Sequence, residues 1–292
     1  MQTNGSQQRG KSRLKKRSGR PLSQSLARKY ERLKNELKTA GSVLVAFSGG
    51  VDSSLLLQVA VDVLKDKVLA VTVDTPLFSR QEIRAAQKLA KNLQVSLMIV
   101  KANSLELPAV AKNSKERCYY CKLFIFSRLK QIAKDKGLDK IVEGSNLDDT
   151  KDFRPGKKAI EELGIRSPLE EAGFSKNEIR QLAKYLGLPN WNKPGAACLA
   201  SRIPYGQPLD RNLLSKIERG ERALISLGFG QVRLRHHGEI ARIEISPEEF
   251  SLWLKPGIRS RAVASLKKLG YRYVALDLEG YRTGSLNPPA VN

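Results

Sequence analysis

Short apolar runs alternate with amphipathic stretches along the first half of this chain. The runs are short enough for buried strands, and the stretches between them repeat apolar residues every three or four positions, which predicts helices. Strand, helix and strand in close succession favour parallel βαβ units. We therefore predict an α/β fold, a doubly wound parallel sheet with helices on both faces. The predicted strands are Val43–Phe47, Val68–Val73, Val95–Val100 and Ile141–Glu143, and the predicted helices cover about 26–37, 52–65, 79–93 and 116–136.

The second half of the chain has a different pattern. Residues 150–208 are rich in Gly and Pro and contain one clear helix, which a capping box from Ser175 to Glu178 opens and which ends before Gly187. Periodicity resumes at Asp210 and predicts a smaller C-terminal α+β domain. Its predicted elements are a helix to residue 227, strands near 232–236 and 240–245, helical stretches near 247–254 and 259–269, and a final strand at 273–278. The chain thus divides into a basic disordered leader (1–25), a main domain with a connecting segment (26–208) and a small domain (209–292).

The formal net charge of +23 is unevenly distributed. Residues 1–38 contribute +10, with seven basic side chains and no acid in the first 24 residues, and the rest of the chain contributes +13. The leader is a candidate nucleic-acid arm or targeting segment. Its lack of interleaved aromatic residues and of a clear amphipathic helix favours a solvated, disordered leader instead. A body at +13 favours anionic ligands, of which phosphates are the commonest.

The composition also indicates the cellular compartment of the protein. No apolar run approaches the ~18 residues that a membrane helix needs, and the leader lacks the hydrophobic centre of a secretory signal. Three cysteines, an odd number, do not fit a disulfide-stapled secreted scaffold. We therefore expect a soluble protein of the reducing cytoplasm with no membrane partner.

A run of Gly and Ser follows the first predicted strand and opens the next helix. At such a position backbone N–H groups and the helix dipole hold anions, and glycines let the backbone approach the ligand closely. The run is not a Walker loop, because no Gly-Lys-Ser/Thr follows it. It resembles the pyrophosphatase loop of enzymes that split ATP into AMP and pyrophosphate; a merely structural turn is the alternative. The candidate ATP-binding residues here are Ser48, Gly49, Gly50, Val51, Asp52, Ser53 and Ser54.

Further polar residues lie at the ends of the predicted strands. Asp52 is interpreted as a carboxylate in the first turn of a helix and, by the same resemblance, as a catalytic residue that orients the loop or Mg²⁺. Asp74 lies where such enzymes recognise adenosine, with a simple turn acid as the alternative. Gly144 and Asn146 resemble the second nucleotide-binding segment of these enzymes. Asp149, just behind them, is a candidate Mg²⁺ ligand.

The three cysteines form a possible metal-binding set. Cys118 and Cys121 share a predicted helix, and Cys198 lies in the Gly/Pro-rich segment. Two closely spaced thiolates and one remote thiolate could hold a [4Fe–4S] cluster by three irons and leave the fourth open. Zinc would need a fourth ligand, and the two histidines, His236 and His237, lie in another predicted domain. Two small core residues and an unrelated thiol are the alternative.

The segments around these cysteines resemble the LarE family, ATP-dependent sulfur transferases that mature the nickel-pincer nucleotide of lactate racemase. The resemblance extends from about residue 26 to residue 278 and consists of several separate matches in the expected order, which is more specific than the loop alone. The matching runs are SGGVDSSLL, ERCYYCK, EGSNLDD, DFRPGKKAI, GIRSPL, KPGAACLASRIPYG and VRLRHHGEIARIE.

The resemblance implies a reaction and its cofactors. Family members use ATP and Mg²⁺ to adenylate carboxylates of a pyridinium mononucleotide and then place sulfur on the activated carbonyl. Members with one cysteine, at the position of Cys198, give up its sulfur and end with dehydroalanine. Members with three bind an iron–sulfur cluster. With Cys118 and Cys121 as well as Cys198, this chain resembles the cluster type. A sulfide source and assembly into a homo-oligomer are further expectations.

Basic residues in the matching runs are candidates for binding the substrate. Arg233 and Arg235 alternate along a predicted strand, share one face and could clamp a mononucleotide phosphate. Exposed arginines on an edge strand are the alternative from pattern alone, and the VRLR match favours the clamp. The other candidates from matching runs are Lys122, Arg154, Ser201 and Arg202.

Two other functions remain open from the sequence. A tRNA 2-thiolation enzyme would use the same activation chemistry, and the basic leader and body fit such a partner, but no zinc or RNA-binding module is visible. A basic nucleic-acid binder with a degenerate ATP site is a third hypothesis, which the intact SGGVDSS run disfavours. The pattern as a whole does not favour a nucleic-acid partner.

Overall fold

The computed structural model describes residues 21–151, 155–195 and 197–282. The first helix, α1 (Gln24–Thr39), begins inside the leader expected at 1–25, because the hydroxyl of Ser23 accepts a hydrogen bond from the N–H of Leu26 and caps it. Its apolar face is buried against the rest of the protein. Residues 1–20 of the expected leader lie outside the described part of the chain.

A parallel four-stranded sheet forms the centre of the first domain, and its strand order is β3-β2-β1-β4. Register partners such as Val43 with Val68 and Val43 with Lys140 place β1 between β2 and β4. The chain order therefore reverses between β1 and β4, which creates a crevice at their carboxyl ends. The strands are β1 (Val43–Ala46), β2 (Val68–Asp74), β3 (Leu97–Lys101) and β4 (Lys140–Val142).

Helices cover both faces of this sheet, as predicted. Val43 and Val45 of β1 pack into a buried cluster with α1, α2 and α3, whereas Leu44 packs into a second cluster with α5. Because successive side chains of a strand point to opposite faces, the two clusters define two layers of helices. The helices are α2 (Val51–Leu64), α3 (Arg80–Asn92), α4 (Pro108–Ala111) and α5 (Arg117–Asp135).

The Gly/Pro-rich segment contains more helix than the single one predicted. Helices α6 and α7 begin at Pro155 and Pro168, where a proline suits the first helical turn because its missing N–H would have no intrahelical partner there. The expectation of one clear helix in this segment was therefore incomplete. The segment contains α6 (Pro155–Glu162), α7 (Pro168–Glu171), α8 (Lys176–Tyr185) and a 3-10 helix (Leu199–Arg202).

The C-terminal part is a smaller α+β unit, as predicted. Its sheet has the order β5-β6-β7, with β5 antiparallel and β7 parallel to β6. The stretch at 247–254 is a 3-10 helix. The other elements are α9 (Arg211–Ser226), β5 (Val232–His237), β6 (Ile240–Ile245), α10 (Ile258–Lys268) and β7 (Tyr273–Leu276).

The cysteine-bearing segment joins the two parts of the fold. Leu199, Ala200 and Ile203 are buried in one cluster with the core residues of α9, β5 and β6. Leu77, from the loop after β2, belongs to the same cluster. This packing presses the segment after Cys198 against the carboxyl end of the parallel sheet. Among the described residues, no helix combines the length and the apolar character that crossing a bilayer requires.

Candidate functional site

The predicted anion-binding loop lies at the switch point of the parallel sheet. It follows β1, and the segment with Gly144 and Asn146 follows the neighbouring strand β4. Gly49 has a left-handed backbone (φ +73°), and a Cβ added to it would lie 3.1 Å from Cα of Ala86 on α3. Glycine is therefore required there for both the turn and the close packing of α3.

The N-terminus of α2 is open toward this crevice. Gly50 is the N-cap and contributes no side-chain hydrogen bond, so the first N–H groups of the helix have no side-chain acceptor. Asp52 is the acid of the first turn. A fourteen-residue helix with an uncapped N-terminus at a strand end is a suitable site for a phosphate group.

The loop serines are connected to one another and to the loop backbone. The hydroxyls of Ser48 and Ser53 lie 3.0 Å apart, and the Ser48 hydroxyl accepts from the N–H of Gly50. The Ser54 hydroxyl donates to the carbonyl of Gly50 at 2.6 Å. Ser53 and Ser54 are buried, whereas Ser48 is exposed. In this arrangement Ser48 has the most accessible hydroxyl of the loop, and Ser54 holds the loop in shape.

Asp52 is oriented by residues from two other segments. One carboxylate oxygen pairs with the ammonium of Lys176 at the start of α8, and the other accepts from the Asn146 amide at 3.4 Å. Lys176 is a site residue that no sequence pattern predicted. These contacts support the interpretation of Asp52 as a residue that orients the loop.

The segment after β4 packs directly on the loop. A Cβ on Gly144 would lie 2.9 Å from the backbone nitrogen of Ser53, so only glycine fits there. Asp149 accepts from the backbone N–H of Asn146 at 3.0 Å, and Asp148 accepts from the backbone N–H of Lys176 at 2.8 Å. The two carboxylates therefore shape the turn beside the loop.

Asp74 closes the neighbouring strand β2. Both of its carboxylate oxygens accept from the guanidinium of Arg80, at 2.6 and 2.7 Å, and Arg80 is the first residue of α3. The acid thus links the strand end to the following helix. Asp74 lies at the carboxyl end of β2, and adenosine recognition there stays a prediction from the resemblance.

A turn from the Gly/Pro-rich segment covers the anion-binding loop. The amide of Asn190 donates to the carbonyl of Gly49 at 3.2 Å and to the hydroxyl of Ser54 at 2.9 Å. The ammonium of Lys193 lies 3.4 Å from the same Gly49 carbonyl. Neither residue was predicted from the sequence, because no local pattern signals a contact across 141 and 144 positions.

The three cysteines share one neighbourhood. Burial raises the pKa of the Cys121 thiol to about 12, and the negative charges of Cys198 and Cys118 as thiolates contribute to the increase. The thiol of Cys121 lies 3.6 Å from the hydroxyl of Ser104, which in turn contacts Thr75 after β2. Cys121 and Cys198 also pack against the same buried cluster, which contains Leu77 from the loop after β2.

The chemical type of the three cysteine ligands favours a metal cluster, whereas their placement does not. Three soft thiol ligands with no nearby imidazole suit an iron–sulfur cluster. As placed, however, no three His, Cys, Asp or Glu side chains of the described residues come together closely enough to hold a metal ion. All three cysteines carry free thiols. Binding a cluster would require Cys121 to lose its proton and the sulfurs to move closer together.

A buried arginine fixes the backbone on both sides of Cys198. Arg202 donates from Nη1 to the carbonyls of Ala197 at 2.7 Å and Cys198 at 3.2 Å. Its Nε and Nη2 donate to the two carboxylate oxygens of Glu221, at 2.8 and 3.0 Å. Burial alone would lower the pKa of Arg202, but the carboxylate of Glu221 outweighs it, and the pKa is raised. Arg202 is therefore a charged support for the Cys198 segment.

Arg233 and Arg235 lie on one face of β5, as predicted, and both are buried. The alternative of exposed arginines is wrong, although β5 is an edge strand, because the cysteine-bearing segment covers this face. Arg235 pairs with Glu244 at 2.6 Å and donates to the carbonyl of Ser201 at 2.8 Å.

Arg233 has a different environment from its neighbour. It donates to the carbonyl of Gly195 at 2.8 Å and forms no ion pair with any described carboxylate. Its guanidinium lies 5.0 Å from the centre of the Tyr281 ring. Burial lowers its pKa, and the charge of Arg202 contributes. A buried cation without a carboxylate partner is suited to bind an anion.

The other predicted substrate residues are spread around this centre. Ser201 accepts from Nη1 of Arg202 at 3.0 Å. Lys122 follows Cys121 on α5 and contacts α6, since a Cβ on Gly156 would lie 2.7 Å from Lys122 Cδ. Arg154 lies outside the described residues.

Two supporting residues of the site were also missed. Glu221 continues the buried face of α9, which includes Leu214, Ile217 and Leu224. A carboxylate at a core position of an amphipathic helix predicts a buried cationic partner, so this signal was present in the sequence. Arg117, next to Cys118, is buried with its guanidinium 4.3 Å from the centre of the Tyr205 ring.

Sequence similarity to known proteins extends over most of this chain. A PP-loop domain model matches residues 22–152. The pyridinium-3,5-bisthiocarboxylic acid mononucleotide synthase of Lactiplantibacillus plantarum is 40% identical over 264 residues, 90% of this chain and 95% of that protein. An uncharacterised protein of Synechocystis is 38% identical over 90% of this chain and 98% of its own length. A glutamine-hydrolysing GMP synthase from Methanococcus maripaludis has one chain that is 32% identical over 56% of this chain and 54% of its own length.

Proposed function

Because this chain belongs to the LarE family of PP-loop enzymes, we propose that it transfers sulfur to the carboxylates of a pyridinium-3,5-dicarboxylate mononucleotide. One structural observation carries the proposal. The N–H of Leu199, the residue after Cys198, donates to the carbonyl of Leu77 at 2.8 Å, in the loop that follows β2. The candidate sulfur-transferring cysteine and the candidate ATP site therefore share the carboxyl edge of one sheet.

The first proposed step is adenylation. A carboxylate oxygen of the substrate attacks the α-phosphorus of ATP, the bond to the bridging oxygen of the β-phosphate breaks, and pyrophosphate leaves. The N-terminus of α2 and the loop from Ser48 to Ser54 would hold the pyrophosphate, with Mg²⁺ bound beside Asp52 or Asp149. Asp74 would lie at the adenosine end. The chain's own contribution is to align the attacking oxygen and the leaving group.

The second proposed step replaces oxygen with sulfur. Hydrosulfide attacks the acyl carbon, the bond from carbon to the AMP oxygen breaks, and a thiocarboxylate, AMP and a proton are released. Cys118, Cys121 and Cys198 would hold a [4Fe–4S] cluster, which supplies an iron open to external sulfide. The packing of Cys121 and Cys198 against one buried cluster, with Cys118 on the same helix as Cys121, supports this assignment.

A sacrificial route uses the same residues differently. The Cys198 thiolate would attack the acyl adenylate and form a thioester as AMP leaves. Loss of the Cys198 α-proton and cleavage of its Cβ–S bond would then give the thiocarboxylate and dehydroalanine. The presence of Cys118 and Cys121 favours the cluster route. The two routes differ in turnover, because the sacrificial one consumes the protein.

The buried arginines of β5 are proposed to recognise the substrate phosphate. Arg233 supports this role because, among the described carboxylates, none forms an ion pair with it, whereas Glu244 already pairs with Arg235. Lys122, Ser201 and Arg202 lie near the cysteines and complete the proposed acceptor side. The C-terminal unit, proposed to begin at residue 209, would thus provide the substrate phosphate site.

Assembly and compartment are also proposals. A groove of about 690 Å³ between α5 and the edge strand β3 contains the exposed ring of Tyr120. Such an apolar surface supports association into a homo-oligomer. The three free thiols support a reducing cytoplasm. The cluster route would require a separate supply of sulfide.

The reaction is tested by the dependence of pyrophosphate release on the acceptor. Under anaerobic conditions the protein is incubated with ATP, Mg²⁺ and either the pyridinium dicarboxylate mononucleotide or unmodified tRNA. Release of pyrophosphate with the mononucleotide and not with tRNA supports the proposal. Release of pyrophosphate with tRNA and not with the mononucleotide would instead support a tRNA-thiolating enzyme.

A further inference from the structure

The turn that covers the anion-binding loop is held in place by its own hydrogen bonds. The N–H of Lys193 donates to the carbonyl of Asn190 at 3.0 Å, and the N–H of Trp191 donates to the carbonyl of Leu188 at 3.3 Å. Trp191 packs on the main core cluster, and the ammonium of Lys184 lies 4.5 Å from the centre of its ring. These contacts fix the conformation of the turn at residues 188–193.

Asn190 attaches this turn to the loop. It donates both to the carbonyl of Gly49 and to the hydroxyl of Ser54, which itself donates to the carbonyl of Gly50. Both carbonyls of the two-glycine turn are thus occupied by donors. These hydrogen bonds fix the orientation of both peptide groups of the turn.

The ammonium of Lys193 contacts the same Gly49 carbonyl. Its hydrogen bond is to the Gly49 carbonyl at 3.4 Å, a long contact to a neutral group, and no described carboxylate forms an ion pair with it. The nearby Lys176, in contrast, is already paired with Asp52. Lys193 is therefore the available ammonium among the described residues that contact the loop, and a negatively charged ligand would offset its charge.

We propose that Lys193 binds the β- and γ-phosphates of ATP, which leave as pyrophosphate, and that Asn190 holds the loop in the conformation that receives them. This assignment rests on the proposed ATP-splitting reaction. The pyrophosphate end is favoured because Lys193 contacts Gly49, beside the uncapped N-terminus of α2. The adenosine end lies at Asp74 on β2, and Lys193 makes no described hydrogen bond there.

Binding measurements without any sulfur acceptor test the assignment. Isothermal titration of the full-length protein with Mg²⁺-pyrophosphate, and separately with AMP, is compared for wild type and Lys193→Gln. A charge-assisted hydrogen bond to phosphate predicts that Lys193→Gln binds pyrophosphate at least about tenfold more weakly and binds AMP unchanged. Lys193→Arg, which keeps the charge, should restore part of the loss.

Lys184→Gln is the matched control. It removes one positive charge beside the same turn, at a residue that contacts the Trp191 ring and not the loop, so pyrophosphate binding should be unchanged. Equal pyrophosphate affinities for wild type and Lys193→Gln would overturn the proposal, as would an equal loss in Lys184→Gln. An error in the proposed sulfur acceptor leaves these results unaffected, because none is present.

Discussion

The ammonium of Lys176 forms an ion pair with the carboxylate of Asp52, which joins the start of α8 to the first turn of α2. Both side chains are largely buried, with 29% and 20% of their surface exposed. The pair ties the Gly/Pro-rich segment to the proposed ATP site. Residues far apart in sequence therefore cooperate to orient the loop.

The first prediction concerns this pair. Asp52→Asn should lower the rate of acceptor-dependent ATP–pyrophosphate exchange by about 100-fold, because misplaced reacting groups react more slowly. Lys176→Met should destabilise the protein by about 1 kcal/mol, since the partly exposed Asp52 loses its partner. Urea unfolding measures the second effect, with Lys158→Met, in an exposed pair with Glu162, as the control. Equal unfolding free energies for the two lysine variants would contradict this role.

The second prediction concerns the support of Cys198. Glu221→Ala should destabilise the protein by about 3–5 kcal/mol, because it leaves the buried guanidinium of Arg202 without its carboxylate. Since Arg202 holds the carbonyls of Ala197 and Cys198, the thiol of Cys198 should also react faster with an alkylating reagent.

The matched control for this variant is Glu239→Ala. Glu239 pairs with Arg272 on the surface, with both side chains 67% exposed, so its loss should cost less than about 1 kcal/mol. Urea titration measures the free energy of unfolding of both variants. A Glu221→Ala protein as stable as Glu239→Ala would show that the buried pair does not support the site.

The third prediction concerns the contact between the two loops at the switch point. Gly144→Ala should destabilise the protein by about 1–3 kcal/mol, because the added methyl group would lie 2.9 Å from the Ser53 nitrogen. ATP affinity should fall as well, since the N-terminus of α2 must shift. Gly195→Ala is the control for stability, as its methyl group meets nothing within 4 Å. A Gly144→Ala protein with unchanged stability and ATP affinity would refute the close contact.

The fourth prediction concerns iron. The wild-type protein, purified anaerobically, should contain about four irons and four sulfides per chain. Cys118→Ala, Cys121→Ala and Cys198→Ala should each lose most of this iron. Ser104→Ala, which removes only the hydroxyl that contacts the Cys121 thiol, should keep it. Full iron in the Cys118 and Cys121 variants would exclude these ligands.

Local patterns predicted the fold well where an element and its partner lie close in sequence. The apolar runs of β1 and β2 and the Ser79 and Ser175 capping boxes all correspond to observed elements. The helices α6 and α7 were not predicted, although Pro155 and Pro168 begin them, because a proline can begin a helix as well as end one. Whether a proline begins or ends a helix depends on the residues that follow it.

The anion-binding loop was visible in the sequence, but the residues that complete it were not. Lys176, Asn190 and Lys193 reach the loop only through the tertiary fold. Likewise, the burial of Arg233 on an edge strand depends on its cover by the cysteine-bearing segment. Glu221 is different, because its place on the apolar face of α9 already indicates a buried ion pair.

The most direct test of the proposed function is the mass of the nucleotide product. The protein is incubated anaerobically with ATP, Mg²⁺, sulfide and the pyridinium-3,5-dicarboxylate mononucleotide, and both nucleotide and protein are analysed by mass spectrometry. We predict ATP-dependent replacement of carboxylate oxygen by sulfur, one AMP for each sulfur introduced, and an unchanged mass for Cys198 over several turnovers. Loss of hydrogen sulfide from Cys198 would contradict the cluster route. An unchanged nucleotide, from protein that binds ATP and contains its iron, would contradict the proposed function itself.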